Sequence, residues 1–546
     1  MCGIAGGKGG AEVGKLSRCM NIGVLAWASV ITGGPASAVG LRPPAVSVAP
    51  AETPLPTVSK PVPTTSHSWP WAAADRAAEP VNLAAHGYIE QEYFLSGTAR
   101  VFDWPAVGRL TYFAQGPYVT RILVRRPRDP AKFSGSVIVE PLNPSIRYDL
   151  PIMWGESHDY FLRHGDVWVG VTVKPVAIQT LKEFDAMRYA SLGFPNPLPP
   201  AQTCDQSRLP MPRGGLPVES SPATENGLMW DVLSQVGALM KEGGADGPLH
   251  GLAVSRLYMT GDSQSGAFVL TYANAIHNFA LTSNNKPLYD GFLAAVATGP
   301  GTPINQCASP IPEGDARWAI RPVGVPIITM VSESEINSLR RRPDSDTAPD
   351  LYRGYEVAGA SHVHEGGGAG SPSHADAIRT SGAQFDSAGH CAEQDMPGND
   401  VSFAALLNGA FYNLDRWSRE EAAPPRGNPI DVREPGTKNA TVTLDDLGNA
   451  MGGVRTPQMD VPLARYYHRM TGPGICELWG YRRPFAPGVI ARLYPSHDDY
   501  VAKVRARVAR MVADRWIEER DGAVIIDKAA RTPFPDAAHG PSDHSK

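Results

Sequence analysis

The stretch Arg256-Leu257-Tyr258-Met259-Thr260-Gly261-Asp262-Ser263-Gln264-Ser265-Gly266-Ala267 decides how the rest of the chain is read. Its first five residues have the apolar, β-favouring make-up of a buried strand, and the run from Ala267 to Phe279 can form a helix. Between them sits strand–Gly-x-Ser-x-small–helix. A serine on such a turn stands exposed at the end of a sheet, and its neighbours two residues away must be small because the backbones crowd there. Gly261 meets that demand. Ser265 stands where glycine is usual, with Gly266 directly after it. Ser265 itself would lie deeper in the helix, so Ser263 is the candidate nucleophile.

Outward from this point, short apolar runs alternate with helical ones. Upstream lie β-rich pieces at Glu90 to Val101 and Tyr118 to Val124, then strand-like runs at Ser136 to Glu140 and Val167 to Val173. Ile152 to His164 can form the crossover helix between the last two. Glu225 to Lys241 carries Leu228, Val232, Leu233, Val236 and Leu239 at helical spacing. Downstream strands are expected at Phe292 to Val296, Ile327 to Val331 and Gly354 to Val357. A helix bearing Phe403, Leu407, Leu414 and Trp417 follows, and Ser496 can cap another. This alternation predicts an α/β protein with a mostly parallel central sheet and helices on both faces.

A serine hydroxyl needs a base to take its proton and an acid to orient that base. In the α/β-hydrolase fold these follow the serine in the order acid, then histidine. The run Val325 to Val331 ends in Ser332-Glu333-Ser334-Glu335, so two carboxylates sit at a strand's carboxyl end. Neighbours two apart on a turn diverge, and Glu335 is favoured over Glu333 by its distance from the strand. Glu333 is then expected to be solvated or to pair with a cation among Arg340 to Arg342. Next, Tyr355-Glu356-Val357-Ala358-Gly359-Ala360-Ser361-His362 brings a histidine to a small-residue loop after a strand. His364 lies two residues on, and as an isolated histidine either is usually a surface residue; the place immediately after the strand and small-residue turn favours His362. Donors for a developing oxyanion are expected from the Gln264 N–H at the helix start. The second is expected from Leu142-Asn143-Pro144-Ser145, where Pro144 has no N–H, leaving Asn143 or Ser145.

The chain's 546 residues suit one large catalytic domain with insertions, and its 42% hydrophobic and 19% charged composition describes a globular protein. A net charge of −5 with interspersed signs gives no basic face for nucleic acid. Near the start, Lys15 and Arg18 precede the apolar run Ile22 to Ile31, and small residues follow to Ala36-Ser37-Ala38. That layout predicts a secretory signal over 1–38, with 1–19 as an upstream extension if translation starts at Met20. The apolar run is short of the roughly 20 residues a membrane span needs. Met1-Cys2-Gly3-Ile4-Ala5-Gly6 resembles the start of class II glutamine amidotransferases, but no β-rich domain follows directly, and the match is read as coincidence. Residues 39–71, rich in Pro, Ala, Ser and Thr, are expected to be a flexible or extended tether, and 85–535 the catalytic domain. Irregular stretches at 174–224 and 366–398 are expected as lid or pocket-wall insertions. Cleavage after Ala38 leaves Cys204, Cys307, Cys391 and Cys476, enough for one or two disulfides in any of three full pairings. No C-x-x-C spacing points to zinc.

Further stretches extend the match beyond the turn. They are Tyr118 to Val124, Val139-Glu140-Pro141-Leu142-Asn143, Ala358 to His362, Leu414-Asp415-Arg416-Trp417, Gly448 to Pro457 and Asp460-Val461-Pro462. With the Gly261-to-Gly266 turn they resemble the alpha/beta hydrolase domain family over roughly residues 85–520. That family usually has a tryptophan where Pro141 stands and a non-proline where Pro144 stands. Its frequent Glu-x-Asp after the late strand matches the acid to Glu335. The resemblance implies ester or related acyl hydrolysis. The sequence thus predicts a secreted or periplasmic serine hydrolase acting on a small-molecule ester, without cofactor or metal. An amidase, lactonase or acyltransferase on the same residues is the alternative, as is a non-catalytic binding protein of the same fold. Oligomeric state is left open.

Overall fold

The computed structural model describes residues 43–204, 221–244, 247–312, 314–366, 368–381, 391–401, 403–435, 437 and 439–534. The expected export signal, 1–38, lies outside these residues, as do parts of both expected insertions.

Eleven strands make one sheet. In chain order they begin with β1 (Val46–Ser47), β2 (Thr57–Val58), β3 (Tyr88–Ala106), β4 (Arg109–Pro127), β5 (Ser136–Pro141) and β6 (Val167–Val171). The rest are β7 (Arg256–Asp262), β8 (Gly291–Ala295), β9 (Ile327–Ser332), β10 (Ser345–Thr347) and β11 (Asp350–Val357). The spatial order is β10-β11-β9-β8-β7-β5-β6-β4-β3-β2, with β1 against β4. From β6 through β5, β7, β8 and β9 to β11 every pairing is parallel, and the long hairpin β3–β4 continues the sheet in antiparallel fashion.

The central strands read as unbroken apolar runs because each face is covered. Val137 and Val139 enter one core cluster while Ile138 enters the other, and Leu257, Tyr258 and Met259 divide the same way. Helices α3 (Met229–Glu242) and α4 (Gln264–Ala275) supply the first cluster. On the second side lie α1 (Ile152–His164) and α6 (Ala404–Glu420). Glu140, at the end of β5, ties sheet to helix: its carboxylate accepts the N–H groups of Met153 and Trp154 at 2.8 and 3.0 Å and the Trp168 indole N–H at 2.8 Å. Ser496 caps the helix His497–Ala513 through the Asp499 N–H, as its sequence position suggested.

The segment 39–71 is not a free tether where it is described. Val46–Ser47 pairs with β4, Ala51–Glu52 with Ala280–Leu281, and Thr57–Val58 with β3. Trp71, fully buried, stacks on Tyr148 and meets Phe184 edge-on. Its prolines leave enough N–H groups to complete sheet edges, and its few large side chains suffice to fill grooves on the domain.

The 174–224 stretch also contains more order than its prolines suggested. α2 (Pro175–Phe184) starts on a proline, which suits the first helical turn, and buries seven of its side chains. It packs against α5 (His374–Ser381) from the later insertion. Disulfides join Cys204 to Cys307 and Cys391 to Cys476.

Candidate active site

β7 lies in the middle of the parallel strands, between β5 and β8, and its carboxyl end is where open sheets of this type place their sites. There the chain turns sharply at Ser263, with φ 55° and ψ −119°, before α4 begins at Gln264. A non-glycine residue in this region costs on the order of 1–3 kcal/mol and persists only where its surroundings enforce it. The Ser263 N–H donates to the Ala295 carbonyl at 2.9 Å, fixing the turn to β8. A Cβ on Gly261 would lie 2.5 Å from the Ser265 carbonyl oxygen, and one on Gly266 would lie 2.7 Å from that of Ala295. Both glycines are required by this crossing. Ser265, wholly buried, staples the turn: its hydroxyl accepts the Asp262 N–H and donates to the Asp262 carbonyl, each at 3.0 Å.

β9 ends at Ser332, and Glu333–Glu335 form one 3₁₀ turn closed by a capping box. Glu335 Oε2 accepts the Ser332 N–H at 2.9 Å and its hydroxyl at 2.6 Å, which leaves Oε1 aimed at His362 Nδ1, 2.7 Å away. On the other side of the ring, His362 Nε2 is 2.8 Å from Ser263 Oγ. The three residues singled out in the sequence therefore form one hydrogen-bonded row across the ends of β7, β9 and β11. Burial alone would lower the pKa of His362, but the charge and hydrogen bond of Glu335, with Asp262 nearby, raise it overall.

Glu333 departs from expectation. It is buried, lies 3.0 Å from His468 Nδ1, and accepts the Gly359 N–H at 2.9 Å. The arginines expected to pair with it go elsewhere, Arg341 to Glu356 and Arg342 to Asp350. Ser334 completes the turn's hold on the histidine loop by accepting the His362 N–H at 3.1 Å.

Gln264 is the first residue of α4, directly after Ser263, so its N–H has no acceptor within the helix. The backbone N–H groups of Asn143 and Ser145, expected as a second donor, are both engaged elsewhere. Asn143 N–H donates to the Leu150 carbonyl at 2.9 Å, and Ser145 N–H to Asn143 Oδ1 at 2.8 Å. What Asn143 offers is its side-chain amide, one hydrogen of which holds the Asp262 carbonyl at 2.8 Å.

Ser263 and His362 open into a cavity of about 520 Å³. Its apolar wall includes Ile146, Leu150, Ile152, Ile475, Leu478 and Trp479. The 366–398 insertion contributes Gly370, Pro372 and Ala377, whereas no described residue of 174–224 reaches the cavity. Sequence reasoning missed Glu156 and misjudged His364: these two face each other at 3.3 Å, both side chains over nine-tenths buried, and both line the cavity. Their sequence separation of 208 left no local signal. Among the described residues no cluster of histidine, cysteine and carboxylate groups could hold a metal, and no helix is long and apolar enough to cross a membrane.

No curated protein matches the chain. Solved structures similar to it include a serine hydrolase without lid from Xanthomonas campestris (12% identical, 49% of this chain and 85% of that one, TM-score 0.24). Others are a carboxylesterase from Lactobacillus plantarum (11%, 43% and 72%, TM-score 0.23) and a glucuronoyl esterase from Solibacter usitatus (8%, 53% and 71%, TM-score 0.26). Scores this low do not bear on fold or function. The family model for the alpha/beta hydrolase domain, by contrast, matches residues 58–527, nearly the whole described chain, and to that family this protein belongs.

Proposed function

We propose that the chain is an exported serine hydrolase that cleaves carboxylic esters through an acyl-enzyme on Ser263. The observation that carries this reading is the row from Ser263 Oγ through His362 to Glu335, with contacts of 2.8 and 2.7 Å. Ser263 Oγ attacks the ester carbonyl carbon as His362 Nε2 takes its proton, and Glu335 faces the imidazolium that forms. Negative charge then collects on the former carbonyl oxygen, opposite the Gln264 N–H at the start of α4 and the remaining amide hydrogen of Asn143. His362 returns the proton to the departing alcohol. Water repeats the sequence against the acyl group, freeing the acid and restoring Ser263.

Export is supported by the charged, apolar and small-residue order of 1–38, and by two disulfides, which suit an oxidising compartment. Secreted or periplasmic protein whose first residue is Val39 would bear this out, and retention in the cytoplasm at full length would overturn it. For the chemistry, Ser263→Ala should lower kcat on p-nitrophenyl butyrate by at least about 10⁴-fold. It should also abolish labelling by a fluorophosphonate. Undiminished turnover in that variant removes the reading.

A further inference from the structure

The polar side of the cavity is unlike its apolar wall. Glu156 on α1 holds His364 Nε2, and the His364 ring, 7% exposed, keeps Nδ1 without a hydrogen-bond partner among the described residues. Asp262, directly before the nucleophile, also lines the cavity. Its backbone is fixed by Ser265 and Asn143, while its carboxyl takes no hydrogen bond from the described residues. No arginine or lysine among the described residues lines this space.

We propose that Glu156, Asp262 and His364 form a specificity site that admits esters whose part seated there is uncharged or cationic, and turns away esters bearing a carboxylate. This rests on the hydrolase reading of Ser263 given above. His362 and His364 each already face a glutamate, and the third histidine of the lining, His374, is exposed, so an entering carboxylate finds no buried cation unclaimed. It must also approach Asp262 and Glu156 as a like charge, and Glu156 is over nine-tenths buried, where water screens a charge poorly. A hydroxyl or ammonium group instead finds acceptors in those carboxylates and a further hydrogen-bonding atom in His364 Nδ1. Burial, with the charges of Glu156 and Glu335, outweighs the pull of the His362 and His364 imidazoles and pushes the Asp262 carboxyl up to about 7, so above neutral pH its charge adds to the barrier.

The test uses two matched pairs at about pH 8, where Asp262 is ionised. p-Nitrophenyl hexanoate against mono-p-nitrophenyl adipate places the charge on the acyl side. Phenyl acetate against p-carboxyphenyl acetate places it on the alcohol side. In at least one pair the neutral ester should be favoured by about 100-fold in kcat/KM. Glu156→Gln and Asp262→Asn should each narrow that gap by about tenfold, read as a ratio within each variant so that general damage cancels. Cleavage of none of the four esters overturns the Ser263 reading and this site with it. Equal cleavage within both pairs leaves that reading standing and overturns the specificity site. A gap that neither variant narrows also overturns it.

Discussion

Glu333 and Glu335 leave the same 3₁₀ turn two residues apart, both buried, and serve the same loop in different ways. Glu335 addresses a ring: it faces His362 Nδ1 and so determines which way Nε2 meets Ser263. Glu333 addresses a backbone: it accepts the Gly359 N–H and pairs with His468, and between them Ser334 accepts the His362 N–H. One carboxylate sets the orientation of the histidine and the other the position of the loop that carries it. The difference teaches that adjacent acids on a tight turn divide orientation and scaffolding between them, because their side chains must diverge.

The largest expected effect strikes Glu335. Glu335→Ala should lower kcat on p-nitrophenyl butyrate by about 10³- to 10⁴-fold, and, because it also frees the Ser332 N–H and hydroxyl, it should cost about 1–3 kcal/mol of stability. An equal loss in Glu333→Gln would erase the distinction. The pH profile sharpens it further. Because His362 is raised, its neutral, proton-accepting form accumulates only above the ordinary imidazole range, so kcat/KM should climb through a midpoint on that side. Glu335→Gln removes the main influence that raises it, leaving burial to pull the midpoint down. Glu333→Gln should leave the midpoint in place. Its cost should appear mainly as stability, about 1–3 kcal/mol for a buried acceptor lost from the Gly359 and His468 contacts, with kcat reduced about tenfold or less. Chemical denaturation read beside initial rates separates the two.

This division was half legible in the sequence. Ser263, Glu335 and His362 each follow a strand, and chain order with small flanking residues sufficed to choose them. Gln264 followed from its place at a helix start. Glu333 was misread because its partner His468 lies 135 residues away in a stretch without periodicity. Asn143 was read as a backbone donor, and only the fold reveals that Leu150 takes that N–H. The Pro-rich start escaped for another reason: strands of two residues on a sheet edge are too short to show an alternation. Cysteine pairing is a matter of tertiary proximity, and spacing carries no information about it.

The smallest expected effect tests the comparison at its far end, in the partner of the scaffolding acid. His468 pairs with Glu333 as His362 pairs with Glu335, yet its side chain is 23% exposed and touches neither Ser263 nor the cavity. In His468→Gln, Glu333 keeps the Gly359 N–H, and the replacement amide or water can supply the missing donor. Stability should therefore fall by about 1 kcal/mol or less, below the cost of Glu333→Gln, and kcat should stay within about threefold. A fall in kcat comparable to that of Glu335→Ala would mean the second histidine–glutamate pair takes part in proton transfer. Orientation and scaffolding would then not be separable on this turn.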